Sequence, residues 1–486
     1  MTFPFLLYQT RYGVNCFARP VAGLDASVSP QKGGRPACDR KNAACIYNVL
    51  RKVARKRLYT TRIHPQPPVR MMASAHIVVH YHELWLKRGN RRFFLHKLRE
   101  ALHRALDGIA VSRISRPSDR LIIEIADAAH GEEALQRLTR VSGISHLAIA
   151  RVVRHPTLHE DPLDTIRDAA WEEIRGEEFA TFAVRARRSD KSFPLNAMAV
   201  EREIGGYLFD KLHAEGRTAR VDLEAPALTC RIEITRGPLL VYARRIVGPG
   251  GLPPNTAGRL VCLLSGGFDS AVAAYKMMKR GAHLSFVHFW GGGAAAGESS
   301  VHVARQLVER LVPWQFTAKL YLVPFEPLQR EIAAQAPESF RTLLYRRLMF
   351  RVAERIALRS GGKGVITGDS LGQVASQTLQ NLQAVGSIAK LPLYRPLIGE
   401  DKLEIQEIAR RIGTHDISEQ PFHDCCPVFQ SKSPALFATP EALDAAEASF
   451  DVASLEDRAI RTLNVVRYRY VLGKAEHIDA KHTTNA

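Results

Sequence analysis

One segment, Leu263-Leu-Ser-Gly-Gly-Phe-Asp-Ser270, carries the residue types of a phosphate-binding loop. It follows an apolar run and opens a helical pattern, so we expect it to join a strand to a helix. Gly266 and Gly267 let the backbone approach an anion, and the helix N-terminus offers unpaired N–H groups. The hydroxyls of Ser265 and Ser270 add donors. The segment differs from the Walker and dinucleotide-binding patterns, so it predicts a phosphate site of another type.

An acidic side chain inside this loop, Asp269, would by itself repel phosphate. Carboxylate oxygens are preferred ligands of Mg²⁺, which commonly joins a protein to the phosphates of its substrate. The sequence therefore predicts a Mg²⁺ ion bound by Asp269 beside a nucleotide. An ordinary glycine-containing helix cap is the alternative interpretation of the loop.

The second reactive group is a pair of adjacent cysteines, Cys425 and Cys426, in the segment Asp424-Cys-Cys-Pro-Val-Phe-Gln-Ser-Lys432. A thiolate is a nucleophile that can carry sulfane sulfur as a persulfide, and cations such as His423 or Lys432 would favour the thiolate. Two buried, unreactive thiols are the alternative interpretation.

The elements that must position these groups follow a linker, Gly248-Pro-Gly-Gly-Leu-Pro-Pro254, that breaks regular structure. Beyond the linker, strands and helices alternate, which predicts a doubly wound α/β domain with a parallel sheet. Its strands are predicted at 260–264, 284–289, 319–323 and 364–367, and its helices at 270–280, 300–311, 339–359 and 402–412. Ligands bind such sheets at the carboxyl ends of the strands.

Two α+β units are predicted before the linker. Strand, helix, strand, strand and helix follow one another from His76 to about residue 145, as in a ferredoxin-like unit. The unit after it contains the run Arg185-Ala-Arg-Arg-Ser-Asp-Lys191, with four basic side chains directly after a strand. Such a run is either an RNA contact or simply a solvated surface.

Composition excludes several classes of protein. Of 486 residues, 46% are hydrophobic and 24% are charged, which is typical of a globular chain with several domains. No uncharged apolar run approaches the roughly 18 to 20 residues of a membrane span. The seven cysteines form neither a CxxC pair nor a dense disulfide framework, which indicates a reducing, cytoplasmic compartment.

The basic charge is concentrated at the start of the chain. The formal net charge is +19, but residues 1–70 hold 13 basic residues and only two acids, Asp25 and Asp39, so the remainder is mildly basic. We interpret residues 1–72 as a basic leader that is unstructured or precedes the true start of the protein. An organelle presequence or an RNA-binding arm is the alternative.

Several motifs around these segments occur in the order seen in the tRNA 4-thiouridine synthase family, often called ThiI. The SGGFDS loop also has the signature of the PP-loop ATP pyrophosphatases to which that family belongs. The other motifs that resemble the family are Tyr81-His-Glu-Leu-Trp-Leu-Lys-Arg-Gly-Asn90, Phe182-Ala-Val-Arg-Ala-Arg-Arg-Ser-Asp-Lys191, Tyr345-Arg-Arg-Leu-Met349, Gly368-Asp-Ser-Leu-Gly-Gln-Val-Ala-Ser-Gln-Thr378, and Arg395-Pro-Leu-Ile398 with Asp401-Lys402. The resemblance spans about residues 76 to 435.

The resemblance implies a domain order as well as a reaction. It implies a ferredoxin-like domain at 73–145, a THUMP RNA-binding domain at 146–248, a linker at 249–258, a PP-loop ATP pyrophosphatase domain at 259–435 and a C-terminal extension at 436–486. The implied reaction uses ATP to adenylate the C4 oxygen of uridine 8 in tRNA and then replaces that oxygen by sulfur from a cysteine persulfide. The alternatives are another PP-loop thiolation or sulfur-delivery role, and a non-catalytic tRNA-binding protein.

The resemblance also nominates site residues. For ATP they are Leu263, Leu264, Ser265, Gly266, Gly267, Phe268, Ser270, His288, Phe289, Arg346, Gly368 and Gln377. For catalysis they are Asp269, Lys402, Cys426 as the persulfide carrier and Cys425 as its partner, with the order of the two cysteines open. For tRNA they are Lys87, Arg88, Arg91, Arg185, Arg187, Arg188 and Lys191.

The sequence departs from longer family members. They carry a C-terminal rhodanese domain with a reactive cysteine, whereas no cysteine follows Lys432 here. We therefore expect sulfur to arrive from a cysteine desulfurase or another donor. An iron–sulfur cluster stays open, although adjacent cysteines are an awkward pair of ligands for one cluster. A homodimer stays open as well.

Overall fold

The computed structural model describes residues 74–81, 83–156, 161–291, 294–421 and 433–478. All of these residues belong to one compact unit, Arg70–Ala486. Among them, no helix is both long and apolar enough to cross a bilayer.

The first half of this unit is built on a nine-stranded sheet in the order β2-β3-β1-β4-β8-β7-β5-β6, with β9 paired to β4. Its strands are β1 (Ala75–Tyr81), β2 (Val111–Ser115), β3 (Arg120–Ile125), β4 (Ile144–Val153), β5 (Thr181–Arg188), β6 (Arg220–Val221), β7 (Leu228–Ile234), β8 (Leu239–Tyr242) and β9 (Ile246–Val247). Its helices are α1 (Arg91–Ala105), α2 (Gly131–Leu138), α3 (Asp164–Ile174) and α4 (Ala197–Ala214).

Strand β4 joins the two α+β units that the sequence predicts. Its residues 146–150 pair antiparallel with β1, and Arg151–Val153 pair antiparallel with β8. The predicted domain boundary between 145 and 146 therefore falls inside a strand that both units share. No strand is predicted here from the sequence, because Ser145, His146 and Arg151 interrupt the apolar pattern of these ten residues.

The second half is built on a seven-stranded sheet in the order β14-β13-β10-β11-β12-β15-β16. Its strands are β10 (Arg259–Leu263), β11 (His283–Trp290), β12 (Thr317–Pro324), β13 (Val365–Ile366), β14 (Leu393–Tyr394), β15 (Asn464–Val471) and β16 (Lys474–Ile478). Its helices are α5 (Phe268–Lys279), α6 (Ala294–Leu311), α7 (Glu326–Gln335), α8 (Arg341–Ser360), α9 (Leu379–Gly386), α10 (Lys402–Ile412), α11 (His415–Ser418), α12 (Pro440–Glu447) and α13 (Val452–Thr462).

The central strands of this sheet are parallel, and helices cover both faces. Helices α5, α6 and α10 supply buried residues to the core on one face, and α7, α8, α9, α12 and α13 supply the core on the other. The predicted doubly wound fold is confirmed, and the four predicted strands and four predicted helices are present with small shifts at their ends.

The C-terminal extension contains strands as well as helices. Its strands β15 and β16 form a hairpin, and β15 pairs antiparallel with β12. Asn464–Val471 alternates between the two faces of the sheet and buries Tyr468 and Tyr470. Leu472 and Gly473, both with positive φ, form the two-residue turn that such hairpins favour. The turn also contacts the first half of the unit, because the Leu472 N–H donates to Asp107 at 3.0 Å.

A buried ion-pair cluster holds the first sheet together at Glu233. The carboxylate accepts hydrogen bonds from the Arg120 guanidinium and from the Tyr242 hydroxyl, and His80 Nε2 lies 2.9 Å from it. Burial by itself raises the pKa of Glu233, but His80, Arg120 and Tyr242 outweigh burial and lower the pKa to about 2. The cluster therefore joins β1, β3, β7 and β8 through one ionised group.

We expect Glu233→Gln to lower the free energy of unfolding by about 3–5 kcal/mol at pH 7, because it leaves the Arg120 charge buried without a partner. The pKa of Glu233 falls on folding, so its stabilisation is full above the ordinary value of 4.5 and is lost as the pH falls toward about 2. Urea unfolding at pH 7 and pH 3 measures the difference in free energy of unfolding between the variant and the wild type. This difference should be smaller at pH 3. Glu203→Gln, in an exposed ion pair, is the control and should change stability by less than about 1 kcal/mol. A gap of equal size at both pH values contradicts this account.

Candidate nucleotide-binding and catalytic site

The phosphate-binding loop is ordered by its two serines. The Ser270 hydroxyl lies 3.1 Å from the Ser265 hydroxyl and accepts a hydrogen bond from the Ser265 N–H at 3.1 Å. The Ser265 hydroxyl in turn accepts from the Gly267 N–H at 3.2 Å. Gly267 is the N-cap of α5 and has no side chain to cap it. The first N–H groups of α5 are therefore left for an anion.

A cavity of about 490 Å³ opens beside this loop, at the carboxyl ends of β10, β11 and β13. That volume is typical of small-molecule sites. Nine of the nominated residues line it, namely Leu263, Leu264, Ser265, Asp269, Ser270, Phe289, Arg346, Gly368 and Gln377. Nominated residues from Leu263 to Gln377, far apart in the second half of the unit, therefore meet at one site.

Four nominated ATP residues do not line the cavity. His288 points to the opposite face of the sheet from Val287 and Phe289, as the alternation of a strand requires. There its Nδ1 lies 2.9 Å from the Leu264 carbonyl oxygen, so His288 fixes the start of the loop. Gly266 and Gly267 belong to the loop backbone.

Phe268, the fourth, packs behind the loop. Its ring centroid lies 5.1 Å from that of His415, and the Lys402 ammonium lies 5.2 Å from the centre of the Phe268 ring. The aromatic face attracts the cation in this arrangement. Phe268 therefore supports Lys402 and lies outside the nucleotide cavity.

Lys402 and Asp269 meet although 133 positions separate them. Lys402 is the first residue of α10, whose start is fixed by a capping box between Asp401 and Glu404. From there its ammonium reaches the Asp269 carboxylate at 3.1 Å, and the Gln373 amide donates to the same carboxylate at 3.1 Å. The predicted catalytic lysine and the predicted metal ligand thus share one site at the loop.

Asp369 is a buried acid in the cavity wall that the sequence analysis did not select. It accepts hydrogen bonds from Arg346, Thr367, Arg395 and the Gln377 amide. Burial alone raises the pKa of Asp369, but the positive charge of Arg346 and the other hydrogen bonds outweigh it and keep the pKa below its usual range. The sequence feature that could have identified Asp369 is its position directly after Gly368, in a motif that resembles the family.

Gly368 lies against the backbone of α5. A Cβ atom at this position would lie 2.7 Å from the Ser270 nitrogen and 2.8 Å from the Asp269 carbonyl carbon. Both are backbone atoms that cannot rotate away. The loop after β13 can therefore approach the phosphate-binding loop only because residue 368 is glycine.

The nominated RNA-binding residues fall into two groups. Four of them have partners within the protein, with Lys87 over the Phe94 ring, Arg91 bound to Asp119, Arg185 bound to the Leu223 carbonyl, and Arg188 bound to the carbonyls of Phe193 and Leu195. The side chains of Arg187 and Lys191 are exposed and make no hydrogen bond or ion pair with the described part of the chain. The side chain of Arg88 lies outside the described residues.

The nominated cysteines, Cys425 and Cys426, lie outside the described residues. Cys230 and Cys262 are described, and both are buried free thiols. Burial raises the pKa of Cys230 to about 12 and raises that of Cys262 further. These two thiols lie in separate cores and are not candidates for a reactive thiolate or for one shared cluster.

Comparisons with known proteins agree with this geometry. The family profile described as thiamine biosynthesis protein (ThiI) matches residues 255–452. Profiles for the ThiI ferredoxin-like domain and the THUMP domain match residues 76–148 and 160–244. The probable tRNA sulfurtransferase of Thermus thermophilus is 40% identical over 390 residues, which cover 80% of this chain and 93% of that relative.

The chain belongs to the ThiI family of tRNA sulfurtransferases. The probable tRNA sulfurtransferase of Moorella thermoacetica is 37% identical over 390 residues and is covered over 97% of its length. A crystal structure of a 4-thiouridine synthetase with RNA and bound ATP superimposes with a TM-score of 0.71 at 30% identity, over 83% of this chain and 100% of that one. The ThiI resemblance and the three-part fold expected from the sequence are confirmed.

We expect Gly368→Ala to weaken ATP binding by about 10-fold to 100-fold. Helix α5 must shift to admit the new methyl group, and the N–H groups at the start of α5 move with it. Calorimetric titration with ATP measures the change. Gly399→Ala is the matched control, since a Cβ there meets nothing within 4 Å. Equal ATP affinity in the two variants contradicts the close approach at Gly368.

Proposed function

We propose that this ThiI member is an ATP-dependent tRNA uridine 4-sulfurtransferase that makes 4-thiouridine at position 8 of tRNA. The observation that carries the proposal is the 3.1 Å contact of Lys402 with Asp269 at a loop built for phosphate. The names of the curated relatives and the solved synthetase with RNA and ATP support the same reaction. The position in tRNA comes from the family resemblance.

The first step is adenylation. Ser265, Ser270 and the N–H groups that begin α5 bind the phosphates of ATP in this proposal. The C4 oxygen of uridine attacks the α-phosphorus, the bond to the β-phosphate oxygen breaks, and pyrophosphate leaves. Lys402 neutralises the negative charge that develops on the transferring group.

Asp269 is the residue that fits a Mg²⁺ ion. Its carboxylate lines the cavity, and its partner Lys402 is partly exposed and free to turn to phosphate. Asp369, the other acid in the wall, has its oxygens bound by Arg346, Arg395 and Thr367. Mg²⁺ bound at Asp269 would neutralise phosphate charge and favour the departure of pyrophosphate.

The second step transfers sulfur. The terminal sulfur of a persulfide on Cys426 attacks C4, and AMP leaves with the original oxygen. The Cys425 thiolate then attacks the Cys426 sulfur, which releases 4-thiouridine and leaves a disulfide between the two cysteines. A cellular dithiol reductant restores the thiols, and a cysteine desulfurase supplies the next sulfur atom. The cytoplasm, where thiols stay reduced, is the proposed location.

RNA binding is assigned to the first sheet. Structured RNA is recognised mainly by shape and by contacts to phosphate and 2′-hydroxyl groups. The exposed Arg187 and Lys191, at the end of β5, are the nominated residues with side chains available for such contacts. The N-terminal half thereby holds the tRNA while the C-terminal half performs the chemistry.

The alternatives differ in what they would do with sulfide. A non-catalytic tRNA-binding protein incorporates no sulfur, and an enzyme for another base modifies a position other than uridine 8. The deciding experiment is incorporation of sulfide sulfur into tRNA with and without ATP, followed by mapping of the thiolated nucleoside. Absence of ATP-dependent 4-thiouridine overturns the proposal.

We expect Asp269→Ala to slow tRNA-dependent release of pyrophosphate by about 100-fold or more, because the metal that it would hold contributes several kcal/mol to the transition state. Its affinity for tRNA should stay within about threefold, since RNA contact belongs to the other half. Pyrophosphate release and gel-shift assays on one preparation measure both. Glu407→Ala, an exposed acid on α10, is the control. Normal pyrophosphate release by Asp269→Ala would remove this residue from the mechanism.

Cys426→Ser should still release pyrophosphate in a single turnover, because the attacking oxygen belongs to the tRNA. It should not thiolate tRNA with a desulfurase as donor. Cys425→Ser should carry out one round of sulfur transfer to C4 and then stop, with the tRNA joined to Cys426 through a disulfide until an added reductant releases it. Quenched single-turnover assays with labelled cysteine as the sulfur source distinguish the two. Thiolation by Cys426→Ser at the rate of the wild type, without free sulfide, would show that another group carries the sulfur.

A further inference from the structure

Asp369 is bound by two arginines, of which Arg346 lines the nucleotide cavity and Arg395 lies outside the lining. One carboxylate oxygen accepts from Arg346 Nη2 at 2.5 Å and lies 3.4 Å from the Gln377 amide nitrogen. The other accepts from the Thr367 hydroxyl at 2.8 Å and from Arg395 Nε at 3.3 Å. Asp369 is only 4% exposed, so little water competes for these bonds.

The bonds to Arg346 fix the plane of its guanidinium. Nη2 is held by Asp369, and Nη1 donates to the Ser376 carbonyl at 2.9 Å. A guanidinium has five N–H groups in a rigid plane, so two bonds set the direction of the remaining three. Arg346 lines the cavity that faces the phosphate-binding loop.

The charges in this cluster do not cancel. Asp369 carries one negative charge, whereas Arg346 and Arg395 carry two positive charges against it. Arg346 brings part of this surplus positive charge to the wall of a cavity whose opposite wall is the anion-binding loop. A bound polyphosphate would supply the missing negative charge.

We propose that Asp369 is a positioning residue for ATP, which it serves by holding the Arg346 guanidinium toward the nucleotide. The inference rests on the proposed function for its choice of ATP. Asp369 itself does not contact the substrate, and its effect reaches ATP through Arg346.

The adjacent residue of the same helix supplies a matched control. Arg347 is also an arginine of α8 bound to carboxylates, Asp444 and Glu447, but it is fully buried on the side of α12. Asp444 lies outside the cavity lining, and its side chain is 63% exposed. Asp444→Asn therefore removes one carboxylate from a neighbouring arginine without touching the nucleotide wall.

The test is a double-mutant cycle of Asp369→Asn and Arg346→Gln, with ATP affinity measured by equilibrium dialysis in the absence of RNA. Each single variant should weaken ATP binding by about 10-fold to 100-fold, as supporting residues around a site commonly do. The double variant should be no more than about threefold weaker than Arg346→Gln alone, because the carboxylate has nothing left to position. Asp444→Asn should bind ATP like the wild type.

Kinetics separate positioning from a structural role. In tRNA-dependent pyrophosphate release, the KM for ATP should rise with the dissociation constant while kcat stays within about threefold. A merely structural role would lower kcat by reducing the folded fraction and would leave KM unchanged. Independent effects that multiply in the double variant, or an unchanged KM, overturn the proposal.

Asp369→Glu keeps the test decisive should Asp369→Asn fail to fold. It retains the buried charge but displaces the carboxylate by one methylene, so ATP binding should still weaken by at least about fivefold. A folded Asp369→Glu with the ATP affinity of the wild type contradicts the proposal. A wild-type protein that binds ATP but never thiolates tRNA would refute the proposed function and leave this inference standing.

Discussion

The close approach of the loop after β13 to the first turn of α5 is the constraint on which the catalytic half depends. Gly368 packs on the backbone at Asp269 and Ser270, with no room for a side chain. Because of this contact, the phosphate-binding loop and the loop that carries Asp369 form two walls of one cavity. The serine hydrogen bonds shape one wall and the Arg346 ion pair shapes the other. The fit of this cavity to an anion therefore depends on the backbone contact at Gly368 as well as on the charged side chains.

Much of this arrangement could be predicted from the sequence. The SGGFDS loop, the alternation of strands and helices, and Lys402 at a helix start all depend on local patterns, which a single sequence displays. What could not be predicted depends on partners far along the chain. The direction of His288, away from the cavity and into the opposite buried face of the sheet, follows from the alternation of β11. The role of Asp369 follows from arginines 23 positions before and 26 positions after it. The ion pair of Arg91 with Asp119, 28 positions further along the chain, is likewise a long-range contact that local patterns do not display.

The two α+β units of the first half are joined more tightly than two separate domains would be. Strand β4 belongs to both α+β units, and the Glu233 cluster crosses the same sheet with a buried charge. A domain boundary placed by composition could not detect this, because a shared strand has the same apolar pattern as two separate ones. The shared strand and the buried charge therefore make the first sheet one structural body, which suits the proposed role of these two units in holding RNA.

The hairpin of β15 and β16 has a consequence for how the protein is made. Strand β12 cannot obtain its second neighbour until residues 464–471 have left the ribosome, more than 140 positions after β12 itself. During that interval an apolar strand edge stays open, and open edges recruit other chains. A chain that ends before residue 464 would therefore leave this edge of β12 open to pairing with other chains, which favours aggregation.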